Sequence, residues 1–298
     1  MEYLLHLLIL IAFYALLAQS LNLSAGFTGL ISLAHAGFYG IGAYTTAILS
    51  TQFGLSFWIN LPLAMLIGGA IAFIVSLIAL RTVEDYFIIC TLGIQVIVFS
   101  LMNNLMDVTR GPLGIPGIPA IHFFGINLDD KISFLALSVF FVAIVWFVLR
   151  NVSRSGFGKT LRAISEDEIY TQNIGKNVYQ AKIVSFTLSA ILAAIPGALY
   201  AHYITYIDPT SFTVNESIFI LSIVIIGGLG NLTGSFFAAA FLVLLPEALR
   251  FVGMPNNIAA NMRQIIYGII LVTVIMSGKD GLKELFFKNK SANLLKRS

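Results

Sequence analysis

The sequence predicts an all-α integral membrane protein, a polytopic bundle of about nine transmembrane helices within a range of eight to ten. Three observations carry that prediction. Hydrophobic residues make up 58% of the 298 residues, charged residues only 10%, and mean hydropathy is +0.92. A soluble domain has about a quarter of its residues charged and no way to bury so much apolar surface. The charges are also segregated: none occurs from Tyr3 to Leu80, room for three spans at about 20 residues each. Further charge-free runs cover Tyr86–Met106, Ile132–Leu149, Ile183–Ile207, Ser217–Pro246 and Gln264–Gly278.

In order, the expected spans are 3–22, 28–50, 57–80, 86–106, 132–150, 182–206, 216–229, 234–252 and 262–278. The pair within 216–252 is separated at Gly227-Gly228-Leu229-Gly230-Asn231, because each glycine weakens a helix by about 1 kcal/mol relative to Ala. Met1-Glu2-Tyr3 has neither the basic n-region nor the small-residue cleavage site of a secretory signal. The whole of 1–298 reads as one membrane domain.

Orientation follows from Lys and Arg, which accumulate on the cytoplasmic side. With the N-terminus outside, inner segments hold Arg81, then Arg150, Arg154, Lys159, Arg162, Lys176 and Lys182, and a tail with Lys279, Lys283, Lys288, Lys290, Lys296 and Arg297. Outer segments hold only Arg110, Lys131, Arg250 and Arg263. The expected inner features are a loop at 151–181 and a basic tail at 279–298.

Several chemistries are excluded. One cysteine, Cys90, permits no internal disulfide or thiolate cluster, and His6, His35, His122 and His202 show no metal-binding spacing. No cofactor, metal or nucleic acid is expected, and no catalytic residue. Ser153-Arg-Ser-Gly-Phe-Gly-Lys-Thr160 imitates the end of a phosphate-binding loop, but the required first glycine is Ser153 and the segment leaves a membrane helix rather than a strand. Ionisable groups are nearly absent from the spans: Glu216 and Glu247 fall near helix ends, Asp208 in an outer turn. A carrier coupled to protons or sodium needs buried coordinating groups, so another subunit is expected to supply the energy. His35 reads first as a histidine bonded to backbone or Ser/Thr, and only second as a proton relay.

Two small-residue segments are candidates for lining a pathway or for close packing. In the first, Ser32, Ala36 and Gly40 fall at i, i+4 and i+8 beside His35, after Gly26 and Gly29, which suggest that the helix is preceded by, or begins in, irregular backbone. The second contains Gly227, Gly228 and Gly230. Non-helical backbone at depth must be buried in protein or line a cavity. The outer run Gly111–Pro119 is stiff and apolar, a turn in the interface or a docking surface. In the inner loop, Lys159–Asn173 reads as a short amphipathic helix ended by Gly175, with Leu161, Ile164 and Glu168 as the contacts to a cytoplasmic partner.

These segments, in order, resemble the branched-chain amino acid ABC transporter permeases. The residues that carry the resemblance are Gly29–Tyr44, Asp85–Gly93 followed by Arg110–Pro119, Gly156–Glu168 and Gly227–Gly234. The Asp85-Tyr86-Phe87 segment and the Pro/Gly loop are more similar to the M-type subunit (LivM) than to the H-type. The resemblance implies an importer permease fold in a bacterial or archaeal cytoplasmic membrane. It also implies a second permease as heterodimer partner, two cytoplasmic ATP-binding subunits and an external solute-binding protein. The inner helix would be the coupling helix, although Ile169 and Tyr170 after Glu168 depart from the Glu-Ala-Ala…Gly pattern of some importers. Alternatives are a permease of the same family for urea, amides or other small neutral solutes, or an enzyme acting on lipid within the membrane.

Overall fold

The computed structural model describes residues 2–82, 84–123, 126–127, 130–251, 268–269 and 272. The order is α1 (Glu2–Thr28), α2 (His35–Gln52), α3 (Phe57–Ala79), α4 (Glu84–Asn104) and α5 (Met106–Thr109). Short strands β1 (Ile115–Pro116), β2 (His122–Phe123) and β3 (Ile126–Asn127) follow. Next come α6 (Lys131–Arg154), α7 (Gly156–Glu166), α8 (Glu168–Asn173), α9 (Val178–Ile204), β4 (Tyr206–Ile207), α10 (Val214–Gly227) and α11 (Leu232–Phe251). The strands form two antiparallel ribbons, β1 with β4 and β2 with β3; helices dominate.

Among the described residues, five helices are long and apolar enough to cross a bilayer: α1, α3, α4, α6 and α9. α10 and α11 are apolar but shorter in their hydrophobic stretch. α2 is rich in Gly, Ala, Tyr and Thr and is buried along most of its length, so protein rather than lipid surrounds it. The structure therefore supports a multi-pass helical protein. The span expected at 262–278 and the tail at 279–298 fall outside the described residues, apart from exposed positions within the former.

The boundaries differ from expectation in two places. α1 runs to Thr28 rather than stopping at 22, and α2 begins at His35 rather than 28. The loop expected at 151–181 is narrower, because α6 reaches Arg154 and α9 starts at Val178. The break inside 216–252 is present, between α10 and α11.

α1 and α9 form the centre of the bundle, and their contact is polar as well as apolar. Thr28 Oγ1 lies 2.6 Å from Ser185 Oγ, and Ser24 Oγ lies 3.2 Å from Ser189 Oγ. The Ser189 hydroxyl also donates to the Ser20 carbonyl at 2.6 Å. In lipid, where apolar surface alone gives little drive for association, such interhelical hydrogen bonds and small residues hold helices together. α2 crosses α9 through two glycines: a Cβ on Gly42 would lie 2.6 Å from the Ala194 backbone, and one on Gly197 would collide with the Tyr39 carbonyl.

Candidate functional site

The chain between α1 and α2 makes the first irregular segment. Gly29, at φ +78°, turns the chain, and the Leu30 N–H returns to the Ser24 carbonyl at 2.8 Å. α2 then starts beside Ser20: His35 Nε2 is 2.8 Å from Ser20 Oγ, which is itself 2.8 Å from the Leu17 carbonyl. A carbonyl only accepts, so Ser20 donates to Leu17 and His35 Nε2 is the N–H donor to Ser20. Ser20 lies eight residues before the end of α1, which puts the start of α2 about 12 Å inside the bundle.

A helix start at that depth leaves N–H groups without intrahelical partners, and other elements supply them. Leu33 N–H donates to Thr91 Oγ1 at 3.1 Å, Ala36 N–H to Ser217 Oγ at 3.0 Å and Gly37 N–H to Gln95 Oε1 at 2.6 Å. The Ser32 hydroxyl accepts from Ala34 N–H at 3.2 Å, and Gln95 Nε2 donates to the Phe212 carbonyl at 2.8 Å. Gly40 packs where a Cβ would strike Met102 and Phe212. The residues predicted here, Gly29, Ser32, His35, Ala36 and Gly40, thus share one region and act in packing and capping. Gly42, Gly197, Gln95 and Ser217 were not anticipated; only Gly42 lay inside a segment already singled out.

The second irregular segment joins α10 to α11. Gly228 and Gly230 have φ of +91° and +76°, and Gly227 lies against Ser235 so closely that a Cβ would sit 2.6 Å from its backbone. Asn22 of α1, fully buried, fixes the turn: its Oδ1 accepts from Gly230 N–H at 2.7 Å, and its Nδ2 donates to Ser235 Oγ at 2.7 Å and to the Asn231 carbonyl at 3.2 Å. Glu216 lies in the first turn of α10.

The loop at the end of the bundle formed by the C-termini of α1 and α6 and the N-terminus of α9 corrects one expectation. Lys159–Asn173 is two helices, because Asp167 adopts an extended conformation and its side chain accepts from Tyr170 N–H at 2.8 Å, capping α8. Leu161 and Ile164 were expected to face a partner. They are 0% and 4% exposed and pack α7 onto the chain's own helices, with Arg162 over the Phe27 ring at 5.2 Å. The pattern that marks one face for burial does not say against what, and the bundle end was nearer. Glu168 pairs with Lys182 at 2.5 Å, tying α8 to α9. Outward-facing apolar side chains are instead Ile169, Tyr170 and Ile174, at 72%, 64% and 55% exposure. Gly175 follows at φ +82°, and Lys176 N–H closes back on the Thr171 carbonyl, the expected helix stop. Ser155–Thr160 forms the cap and first turn of α7, with Ser155 Oγ accepting from Gly158 N–H.

At the opposite end, the Pro/Gly run packs inward in part, while Leu113 and its three prolines are exposed. Ile115 and Ile118 are buried, and β1 pairs with β4. His202 Nδ1–H donates to the Pro119 carbonyl at 2.6 Å. No group of three or more His, Cys, Asp or Glu positioned for a metal occurs among the described residues.

The described residues thus form a multi-pass helical bundle whose helix breaks at depth are filled by its own polar side chains. The chain belongs to the family described as branched-chain amino acid transport system / permease component, whose model matches residues 3–275. Over 260 residues it is 36% identical to the high-affinity branched-chain amino acid transport system permease protein LivM of Salmonella typhimurium, covering 80% of this chain and 61% of that relative's length. It is 26% identical over 233 residues to the guanosine ABC transporter permease protein NupQ of Bacillus subtilis, covering 72% of this chain and 71% of that one. Among solved structures, PsaBC from Streptococcus pneumoniae in complex with Fab superposes with a TM-score of 0.46 at 16% identity, over 97% of this chain and 96% of that chain.

Proposed function

We infer that the chain is the M-type permease subunit of an ATP-driven importer of branched-chain amino acids. It forms the pathway with a second, related permease, while two separate cytoplasmic subunits hydrolyse ATP and an external binding protein delivers solute. It has no catalytic site of its own and crosses a bacterial or archaeal cytoplasmic membrane about nine times. The N-terminus lies outside, and the α7–α8 loop and basic tail inside, in keeping with the distribution of Lys and Arg.

The observation that carries this reading is the exposed group Ile169, Tyr170 and Ile174. Clustered apolar side chains outside the spans mark a contact with another protein. They sit on a base held rigidly by Leu161, Ile164 and the Glu168–Lys182 pair, so force applied at α8 reaches α9 directly. Losing an apolar anchor of an interface costs about 2 kcal/mol or more, roughly a thirtyfold weakening. The Ile169→Asp, Tyr170→Asp double variant is therefore expected to keep normal membrane expression but lose co-purifying ATPase subunits and leucine uptake. Leu161→Asp, which buries a charge, should instead lower the folded yield. Full ATPase recovery and uptake in the double variant would remove the knob's role. The guanosine permease relative favours one second reading, and competition of uptake by unlabelled guanosine but not by leucine would transfer the assignment to nucleosides.

A further inference from the structure

A cleft of about 290 Å³ lies between α6 and α11, with α1 behind it; its walls are Gln19, Val139, Val142, Ala143, Trp146, Thr233, Phe236 and Phe237. Two features set it apart from an ordinary gap between helices. Gln19 is 1% exposed, and its amide oxygen has no hydrogen-bond partner within the described structure. An amide at membrane depth without a partner costs several kcal/mol, and no internal bond fixes which end of this amide faces the cleft. The second feature is charge. Val139, Val142, Ala143 and Trp146 lie on one face of α6, and that face continues to Arg150, whose guanidinium lies 4.8 Å over the Trp146 ring. Arg154, exposed in the last turn, stands one turn beyond.

We propose that this cleft is a binding site for an anionic phospholipid, with the phosphate at Arg150 and Arg154, the glycerol–ester zone at Trp146 and Gln19, and an acyl chain between Val139, Ala143, Phe236 and Phe237. Two observations favour a lipid over another protein's helix. Helices pack in membranes through small residues, whereas this cleft is walled by Trp146, Phe236 and Phe237, which leave a slot suited to a flexible chain. Basic side chains at the cytoplasmic end of a groove between spans are also the arrangement that captures anionic headgroups. The Gln19 amide then finds an ester carbonyl or a glycerol hydroxyl. The site requires only that the chain spans a bilayer and is independent of which solute it carries.

The chain has two tryptophans, so Trp58→Phe leaves Trp146 as the sole emitter. The full chain, alone and assembled with its partners, is placed in vesicles containing phosphatidylglycerol or phosphatidylcholine brominated on the acyl chain. Quenching of Trp146 should show about a thirtyfold preference for the anionic lipid, the effect of two basic residues near a charged headgroup. Arg150→Gln should bring that preference down to about fivefold and the Arg150→Gln, Arg154→Gln double variant close to one; Gln19→Leu should weaken quenching by both lipids, and Ala143→Phe should abolish the preference by filling the slot while leaving Arg150 in place. Equal quenching by both lipids in the parent chain would overturn the proposal, since any lipid-exposed tryptophan behaves so. Absence of quenching in the chain alone and in the assembly would overturn it too, and would show that protein covers the cleft.

Discussion

Replacing Asn22 by Leu tests whether the α10–α11 turn is held by a side chain more than two hundred residues away. The substitution keeps the branched outline of the side chain but removes an acceptor 2.7 Å from the Gly230 nitrogen and a donor 2.7 Å from Ser235 Oγ. A buried N–H left without a partner costs about 1–3 kcal/mol, and each interhelical hydrogen bond in a membrane protein contributes about 0.6 kcal/mol on average. Ser235 retains a bond to the Asn231 carbonyl at 3.2 Å, so its loss is partial. The net expectation is about 2–3 kcal/mol, applied locally at the turn. Amide exchange of the Gly228–Ser235 segment, followed by mass spectrometry in detergent, should accelerate by about thirty- to a hundredfold, while α3 and α6 stay protected. Asn22→Asp, which keeps the acceptor for Gly230, should fall between parent and Leu. Exchange of the turn at the parent rate in Asn22→Leu would refute the reasoning, because the glycine backbone would then be holding itself.

Gly42→Ala places a Cβ 2.6 Å from the Ala194 backbone and is expected to lower the thermal midpoint by several degrees in detergent. Gly93→Ala on α4, where a Cβ meets nothing within 4 Å, should be neutral or stabilising by up to about 1 kcal/mol, and equal effects of the two would undo the packing argument. Gly175→Ala has open space around it but a φ of +82°. It should cost about 1 kcal/mol and appear as faster proteolysis of the α8–α9 junction with little change in the midpoint.

What the sequence disclosed follows the range of the forces involved. Hydropathy and charge segregation are properties of single segments, so the long spans were legible, as was the break at Gly228–Asn231. Gly29 announced irregular backbone before α2, whereas Gly26, read in the same way, lies inside the helical α1. The split at Asp167 was missed because the region lacks Gly and Pro, although an Asp two residues before a polar–apolar alternation is a helix start as readily as an interior residue. The inward face of α7 was legible as a face, since Leu161 and Ile164 are one turn apart, yet its assignment to a partner needed the positions of α1, α6 and α9. Asn22, Gln95 and Ser217 carry no local signal. Each is a polar residue in an apolar run, and only the fold shows that one fastens a turn while the others fill the start of α2.

The serine–threonine contact between α1 and α9 has a consequence for synthesis. A ribosome adding about 5–20 residues each second needs roughly 10–30 s to travel from Thr28 to Ser189. Throughout that interval Ser20, Ser24 and Thr28 donate to the Leu17, Leu21 and Leu23 carbonyls of their own helix. The first helix therefore enters the bilayer with its hydroxyls already satisfied, and the contacts with Ser185 and Ser189 are added late, when α9 arrives. Nascent chains arrested before Ser185 should release α1 from the insertion machinery, and crosslinking of α1 that persists until Ile204 is made would show that the pairing has to come first.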